Sequence, residues 1–448
     1  MLQMNYQSDT IAAISTPPGK GGISIVKISG PDSIKTVKKI FTSKKDPENN
    51  ERTMVYGRIS DRAEKIDEAL VCYMKAPYSY TGEDVVEIQS HGGYTAAETI
   101  LEILLRSGLR LAEPGEFTKR AFLNGKIDLA QAEGVMEIVS ADNKEHLKNA
   151  ERLLEGYFSN QIEQLLTNLK KSLSLLEYSI DFQEQESETV TKGAIKKSID
   201  NTIKTLNIMI TSYKTAKRIK HGLNVVIAGK TNSGKSSLFN TLLGKKRAIV
   251  HKKEGTTRDW LEDKIELNGI PINLIDTAGL RSTDCEIERE GVNETERLLQ
   301  KADVVIYLHD STEKNPVFKD VLNENPDYIH ISSKSDLAEN KRQHHGLLAV
   351  SSKTHEGIST LMKKIAQNSK SILHDVNCDS PVMVDRHRIE LNKARKNMKS
   401  ALSGINTWSE EIIAYELREA EKHLEAVTGQ NIDIDVLDEI FKHFCVGK

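Results

Sequence analysis

Cysteine is scarce: the 448 residues hold four, at Cys72, Cys285, Cys378 and Cys445, with no CxxC pair. Such isolated thiols argue against a disulfide framework or a zinc knot and fit a reducing, cytoplasmic setting. Aromatic residues make up only 5% of the chain, a composition that leans toward α-rich structure. Neither sign of charge dominates: 62 Lys and Arg stand against 65 Asp and Glu, a formal net charge of −3. That balance argues against a protein that mainly coats nucleic acid, while leaving room for a local basic face. No run approaches the roughly 18 apolar residues of a membrane span. The opening MLQMNYQSDTIAAIST has neither a basic n-region with an apolar core nor an Arg/Ser-rich amphipathic pattern, so no signal or transit peptide is expected. Internal repeats and low-complexity tracts are also missing. What remains is a well-mixed globular composition, 38% hydrophobic and 28% charged, long enough for two to four domains at ~100–200 residues each.

Residues 1–120 read as one α+β domain. Short β-rich runs (TIAAIS, GISIVKIS, TMVYGRIS, ALVCYMKA, DVVEIQS) are separated by turn signals such as PPGKGG and HGG, and a helix follows from Tyr94 to about Ser107. From about Asn143 the period becomes helical. Leu153, Leu154, Tyr157, Ile162, Leu165, Leu166, Leu169, Leu173 and Leu176 predict one long amphipathic helix, and Ile195 through Tyr213 a second. At Leu223 strand-type runs return (LNVVIA, PINLID, DVVIYL, YIHISS, LLAVSS) in alternation with helix-like segments, the pattern of a doubly wound, mainly parallel sheet. ELNGIPINLID predicts a hairpin turning at Asn268-Gly269. Helices resume after about residue 370. The chain thus reads as multidomain: an α+β domain at 1–120, a discontinuous helical domain at 121–220 and 371–448, and a Ras-like P-loop domain inserted at 221–370.

The chemistry sits in the insert. Gly229-Lys-Thr-Asn-Ser-Gly234-Lys235-Ser236 is a GxxxxGK[ST] loop between a strand and a helical start. Glycines let backbone N–H groups curl round phosphates, Lys235 reaches the β/γ oxygens, and Ser236 offers a hydroxyl to Mg²⁺. Asp276-Thr277-Ala278-Gly279 ends a later strand: the carboxylate suits a water-mediated Mg²⁺ contact and the Gly279 amide a γ-phosphate. Between them lies Gly255-Thr256-Thr257-Arg258-Asp259, where a threonine hydroxyl, Thr257, can cap Mg²⁺. Ser333-Lys334-Ser335-Asp336 stands where guanine-binding domains carry NKxD; Asp336 can accept from guanine N1 and N2, while serine is expected to lose one bracing amide and weaken affinity. Ser351-Ser352-Lys353 follows the next strand and can back the base with a main-chain N–H. These motifs in this order predict GTP hydrolysis. The residues expected at the nucleotide are Asn232, Ser233, Gly234, Lys235, Ser236 and Ser237, the stretch His251, Lys252, Lys253, Glu254, Gly255, Thr256 and Thr257, then Asp276 to Gly279, Ser333, Lys334, Asp336, and Ser351 to Lys353. Leu280 occupies the position from which a glutamine orients water in many switch GTPases, so another group must do so; Asp284, Glu286, Glu288 and Glu290 are the nearby candidates.

Along its whole length the sequence resembles the bacterial tRNA-modification GTPases of the MnmE (TrmE) family. TPPGKGGISIVKISG, YTGEDVVEIQSHGG and PGEFTKRAFLNGKIDLAQAE are similar to the N-terminal signatures. GKTNSGKSSLFN, EGTTRD and DTAGLR match the G domain, and ELREAEKHLEAVTG with FCVGK the end. The resemblance implies a K⁺-activated cycle in which Asn232, His251, Lys253 and Thr256 hold the cation in place of an arginine finger. It also makes Glu288 the group that orients water, acting with Lys235 in catalysis. It implies an N-terminal folate-binding, dimer-forming domain that takes 5-formyltetrahydrofolate or a related tetrahydrofolate through Lys27, Glu87, Lys126 and the terminal Lys448. The implied assembly is a homodimer joined to the FAD-binding protein MnmG (GidA) as a heterotetramer. Together they add a carboxymethylaminomethyl or aminomethyl group to C5 of the wobble uridine, position 34, of certain tRNAs. Cys445-Val-Gly-Lys448 has the form of a prenylation box, but a terminal lysine suits that poorly and the family's CxGK tail suits it better. The rival reading is an Era-type ribosome-assembly GTPase, for which the sequence shows no basic RNA-binding appendage.

Overall fold

The computed structural model describes residues 9–181, 188–245, 262–267, 270–277, 298–312, 327–337, 346–374 and 384–448. Contacts divide the chain into two compact units. One comprises Met1–Met136, Arg152–Ile203 and Ile389–Lys448; the other comprises Glu137–Glu151 and Lys204–Arg388. No described helix is long and apolar enough to cross a membrane.

The first unit carries a seven-stranded sheet built from β1 (Ile11–Ile14), β2 (Ile23–Ser29), β3 (Phe41–Ser43), β4 (Val55–Asp61), β5 (Glu64–Met74), β6 (Val85–His91) and β7 (Arg110–Leu111), in the order β3-β4-β5-β6-β2-β1-β7. All pairs are antiparallel except β1 with β7. Strand alternation decides the faces. In β2, Val26 and Ile28 are fully buried, while Lys27 between them points to the other side and pairs in register with Glu87 of β6. The core side is covered by α1 (Ser33–Ile40) and α2 (Tyr94–Arg106), whose Ala97, Ile100, Ile103 and Leu104 recur at helical spacing. The strands β3 and β7 are too short to leave a period in the sequence.

Helices α3 (Glu116–Leu123), α4 (Leu129–Val139), α5 (Lys144–Leu154), α6 (Tyr157–Asp181) and α7 (Glu188–His221) follow. The single helix expected across Leu153–Leu176 is two, because the chain breaks at Gly156. Its φ of +83° lies in the left-handed region that side-chain-bearing residues avoid. Gly156 N donates to Leu153 O to end α5, and Asn160 N donates to Gly156 O to begin α6. The apolar period runs through the break, which is why it reads as continuous.

The second unit holds a six-stranded sheet of β8 (Leu223–Gly229), β9 (Glu262–Leu267), β10 (Ile270–Asp276), β11 (Val304–Asp310), β12 (Asp327–Ser333) and β13 (Leu348–Ala349), ordered β13-β12-β11-β8-β10-β9. It is parallel except for β9, which pairs antiparallel with β10 from Leu267↔Ile270 onward. That is the predicted hairpin; its turn residues lie outside the described residues. Central strands are buried on both faces: in β8, Val225 and Ile227 enter one apolar cluster and Val226 and Ala228 the other. Helices α8 (Lys235–Lys245) and α9 (Ile358–His374) pack on the larger cluster. The chain ends with α10 (Asp385–Gly404), α11 (Glu410–Thr428) and α12 (Ile434–Lys442). Within the first unit α11 lies along α6, joined at the surface by Lys170 to Glu421 and Glu425 and by Arg418 to Glu177.

Candidate functional site

In an open α/β sheet, ligands bind beyond the carboxyl ends of the strands, and the predicted residues collect there. β8 runs into the glycine loop. Gly229 (φ +148°), Asn232 (φ +60°) and Gly234 (φ +94°) adopt left-handed or wider conformations that turn successive N–H groups inward. At Gly229 an added Cβ would lie 2.8 Å from Leu308 O, so a side chain is excluded. Lys235 opens α8, is 9% exposed, and donates Nζ to the loop carbonyls of Gly229 (3.1 Å) and Lys230 (2.8 Å). Its ammonium is thereby held over the cradle. Ser236 and Ser237, exposed on the first helical turn, complete the loop.

Asp276 is wholly buried at the end of β10, in register with Ile227 of β8, and Thr277 Oγ1 donates to Ile227 O at 2.9 Å. A serine hydroxyl and a carboxylate at the tips of adjoining elements are hard oxygen donors, which fits Mg²⁺. Ser236 and Asp276 would hold it directly and through water. Of the K⁺ set only Asn232 lies within the described residues. His251 to Thr257, Ala278, Gly279 and Glu288 lie outside them.

Beside the cradle is a cavity of about 370 Å³ lined by Leu238, Thr241, Leu308, Asp336, Ser352 and Lys353, among others. Asp336 is aligned by Ser351, whose Oγ donates to Oδ1 at 2.7 Å. The same Oγ accepts from the N–H groups of Lys353 (3.2 Å) and Thr354 (3.1 Å). Ser351, expected to back a base through its main chain, thus also pins the loop that follows it. Lys334 (φ +57°) folds over Asp310, Nζ to Oδ2 2.7 Å. Burial opposes ionisation of Asp310, but Lys334 and Thr312 prevail and its pKa is lowered. Asp310 was not predicted; its only signal was its place at the end of a strand. Ser333, standing where guanine-binding domains carry asparagine, is buried at the end of β12. Its Oγ contacts Ser233 O (2.7 Å) and His309 O (3.2 Å), bracing the phosphate loop against β11.

A second cluster lies in the first unit. Lys27 Nζ is 3.9 Å from Glu87 Oε1 and 5.6 Å from the rings of both Tyr80 and Phe117. Burial lowers its pKa, with Glu87 opposing and Lys448 reinforcing the shift. The terminal Lys448 is therefore close to Lys27, brought there by a docked tail: Ser15 Oγ donates to Gly447 O (3.1 Å) and Gly115 N to Cys445 O (3.2 Å). Lys126 Nζ caps Pro77 O at 3.0 Å, on the loop that carries Tyr80. The structure brings Lys27, Glu87 and Lys448 together and ties Lys126 to their rim. Two cations, a carboxylate and two aromatic walls suit an aromatic, anionic ligand such as a folate. Tyr80, Phe117 and Ser15 were not singled out from sequence. Cys445 is exposed and Cys72 half-buried, both as free thiols.

Phosphate cradle and purine cavity share one sheet edge, and this arrangement defines a P-loop enzyme that hydrolyses GTP. Comparison with known proteins narrows the class. Residues 10–126 match the family model of the GTP-binding protein TrmE N-terminus, and residues 129–445 that of the MnmE helical domain. The tRNA modification GTPase MnmE of Carboxydothermus hydrogenoformans is 40% identical over 98% of this chain and 99% of its own. That of Clostridioides difficile is 38% identical over 99% of this chain and all of its own. Among solved structures, Era of Aquifex aeolicus with GDP and aluminium fluoride matches at 23% identity over 39% of this chain and 66% of that one, at a TM-score of 0.26. The chain belongs to the MnmE family of tRNA modification GTPases. End-to-end relatedness does not favour the Era-type reading.

Proposed function

We propose that this GTPase is activated by K⁺ and acts with an FAD-binding partner, MnmG, to add an aminomethyl-type group to C5 of the wobble uridine of certain tRNAs. The observation that carries the reading is the coexistence, in one chain matched end to end by the family, of the guanine cavity at Asp336 with the Lys27–Glu87–Lys448 cluster. The three-part division at 1–120, 121–220 with 371–448, and 221–370 belongs to this reading, as do a homodimer, a heterotetramer with the partner and a cytoplasmic location.

In the proposed mechanism water attacks the γ-phosphate in line. Lys235 leaves its loop carbonyls for the β/γ oxygens, loop N–H groups hold the remaining charge, and Glu288 orients the water. Mg²⁺ and K⁺, when bound, supply charge against the phosphates. Asp336, fixed by Ser351, selects guanine. The folate cluster would hold the one-carbon donor, with Lys27 and Lys448 on its carboxylates and Tyr80 and Phe117 on its ring.

The deciding experiment is GTP turnover of the purified protein in K⁺ and in Na⁺ at equal ionic strength, with ATP as control. Turnover should be fast only with K⁺ and GTP. Indifference to the cation would remove the K⁺ assignment. Nucleoside analysis of tRNA from a deletion strain should show the C5 modification lost; its persistence would remove the tRNA assignment.

A further inference from the structure

Helix α10 turns Leu391, Ala394, Met398 and Ala401 inward, all fully buried. Opposite them Lys393, Lys396 and Lys399 are exposed. Three-residue steps place them on one side of the helix, over about 9 Å of its axis. From Asn392 to Ser403 the helix holds no acidic residue, although acids outnumber bases in the chain as a whole, 65 to 62. Glu390 is held by Lys393 and by His423, each at 2.8 Å. Among the described residues no carboxylate pairs with Lys396 or Lys399. On the flank, Glu416 accepts from Ser400 Oγ at 3.2 Å.

The C-terminal turn of the same helix carries an indole. Gly404 closes α10, and a Cβ there would come within 2.1 Å of the Trp408 ring, so the ring lies directly against this glycine. Trp408 N donates to Gly404 O at 2.8 Å, fixing the turn, and the side chain remains 38% exposed. A basic helix face by itself is most simply a solvated surface. A row of lysines on a helix whose C-terminal turn fixes an exposed aromatic is a different object: the helix offers charge to a phosphate backbone and a stacking plane to a base.

We propose that Lys393, Lys396, Lys399 and Trp408 form a docking surface for RNA. The lysines neutralise backbone phosphates and the indole stacks on an unpaired base. The proposal rests on the tRNA reading and locates on this chain a contact that the sequence alone did not reveal.

The test is binding of an unmodified tRNA transcript to the full-length protein between about 50 and 200 mM salt, where each lost phosphate contact flattens the log–log salt slope by about 0.7–0.9. The triple variant K393E/K396E/K399E should lose at least tenfold in affinity, and the milder K396Q/K399Q should flatten the slope by about 1.4–1.8. W408A should bind several-fold more weakly and W408Y nearly as wild type. Basal GTP turnover, which uses none of these residues, should stay unchanged. Wild-type affinity and slope in the lysine variants would overturn the proposal and leave the tRNA reading standing. A wild-type protein that binds no tRNA would overturn both. Lysine variants that keep tRNA but lose phosphatidylglycerol vesicles would assign the face to a membrane surface and overturn the RNA proposal.

Discussion

Ser333 bears on the nucleotide site through a single hydroxyl. Read against asparagine it lacks an amide; in the fold its hydroxyl ties the guanine loop to the phosphate loop. A hydroxyl has one proton, so of its two carbonyl neighbours the nearer, Ser233 O, takes the better bond. Removing a buried hydrogen bond costs about 1 kcal/mol. Ser333→Ala should therefore raise the Kd of GTP and GDP about fivefold without relaxing the preference for guanine, as read by fluorescent-nucleotide titration. Equal affinity would mean that the loop needs no such brace. Glu288 belongs to the same scale. Its replacement by alanine should leave nucleotide affinity intact and slow single-turnover hydrolysis by roughly 10²–10³-fold, the size expected for losing a group that positions and polarises water. Unchanged turnover would pass the role to Asp284, Glu286 or Glu290.

At the scale of elements, α3 is anchored to the first sheet by charge rather than by apolar packing alone. Arg120 is fully buried and bonds Asp9 (2.7 Å), Glu83 (3.0 Å) and Glu116 (2.9 Å), while Arg110 bonds Asp9 (2.6 Å) and also pairs with Glu116. Breaking a buried ion network from one side leaves carboxylates uncompensated and costs about 3–5 kcal/mol. Arg120→Ala should lower the unfolding midpoint of the N-terminal domain accordingly, with Arg120→Met costing less than removal of the stem. A wild-type midpoint would mean that water replaces the guanidinium freely. Burial favours the neutral acids, but the two arginines prevail and hold both Asp9 and Glu116 below their ordinary values of 3.8 and 4.5. Folded pKa values below the unfolded ones mean that this stabilisation is complete above about pH 4.5 and drains away as pH falls through the folded values. Thermal unfolding should accordingly fall off below about pH 4 in wild type and more shallowly in a Glu116→Gln variant. The Gly156 break is the other lesson here: Gly156→Ala should destabilise by about 1–2 kcal/mol, the cost of forcing a Cβ into the left-handed region.

For the whole molecule the docked tail is the feature that joins distant parts of the chain. Ser15 bonds Gly447 across 432 residues, and a Cβ on Gly447 (φ +87°) would stand 2.7 Å from Ile14 O. Gly447→Ala should therefore expel the tail and carry Lys448 away from Lys27. The expected outcome is at least a tenfold loss of 5-formyltetrahydrofolate affinity by calorimetry, with GTP turnover unaltered. Retained folate affinity would show that Lys448 is dispensable to the site.

Local chemistry was legible in the sequence wherever it is carried by consecutive residues. The glycine loop, the Asp276 strand end and the Ser333–Asp336 and Ser351–Lys353 loops each follow a strand whose apolar run announces it, because backbone conformation and phosphate geometry demand those residue types at that spacing. The parallel order of the second sheet followed from the same alternation. The apolar period of α5 and α6 is visible in the sequence and their break is not, since a glycine in the left-handed region leaves the apolar spacing undisturbed. What the sequence could not give was any arrangement that depends on distance through space. The bond from Ser333 to the phosphate loop, the aromatic walls around Lys27, the seat of the C-terminal tail and the buried Arg120 network each join residues far apart in the chain. Their partners are chosen by packing, and only the folded chain brings them within hydrogen-bonding reach.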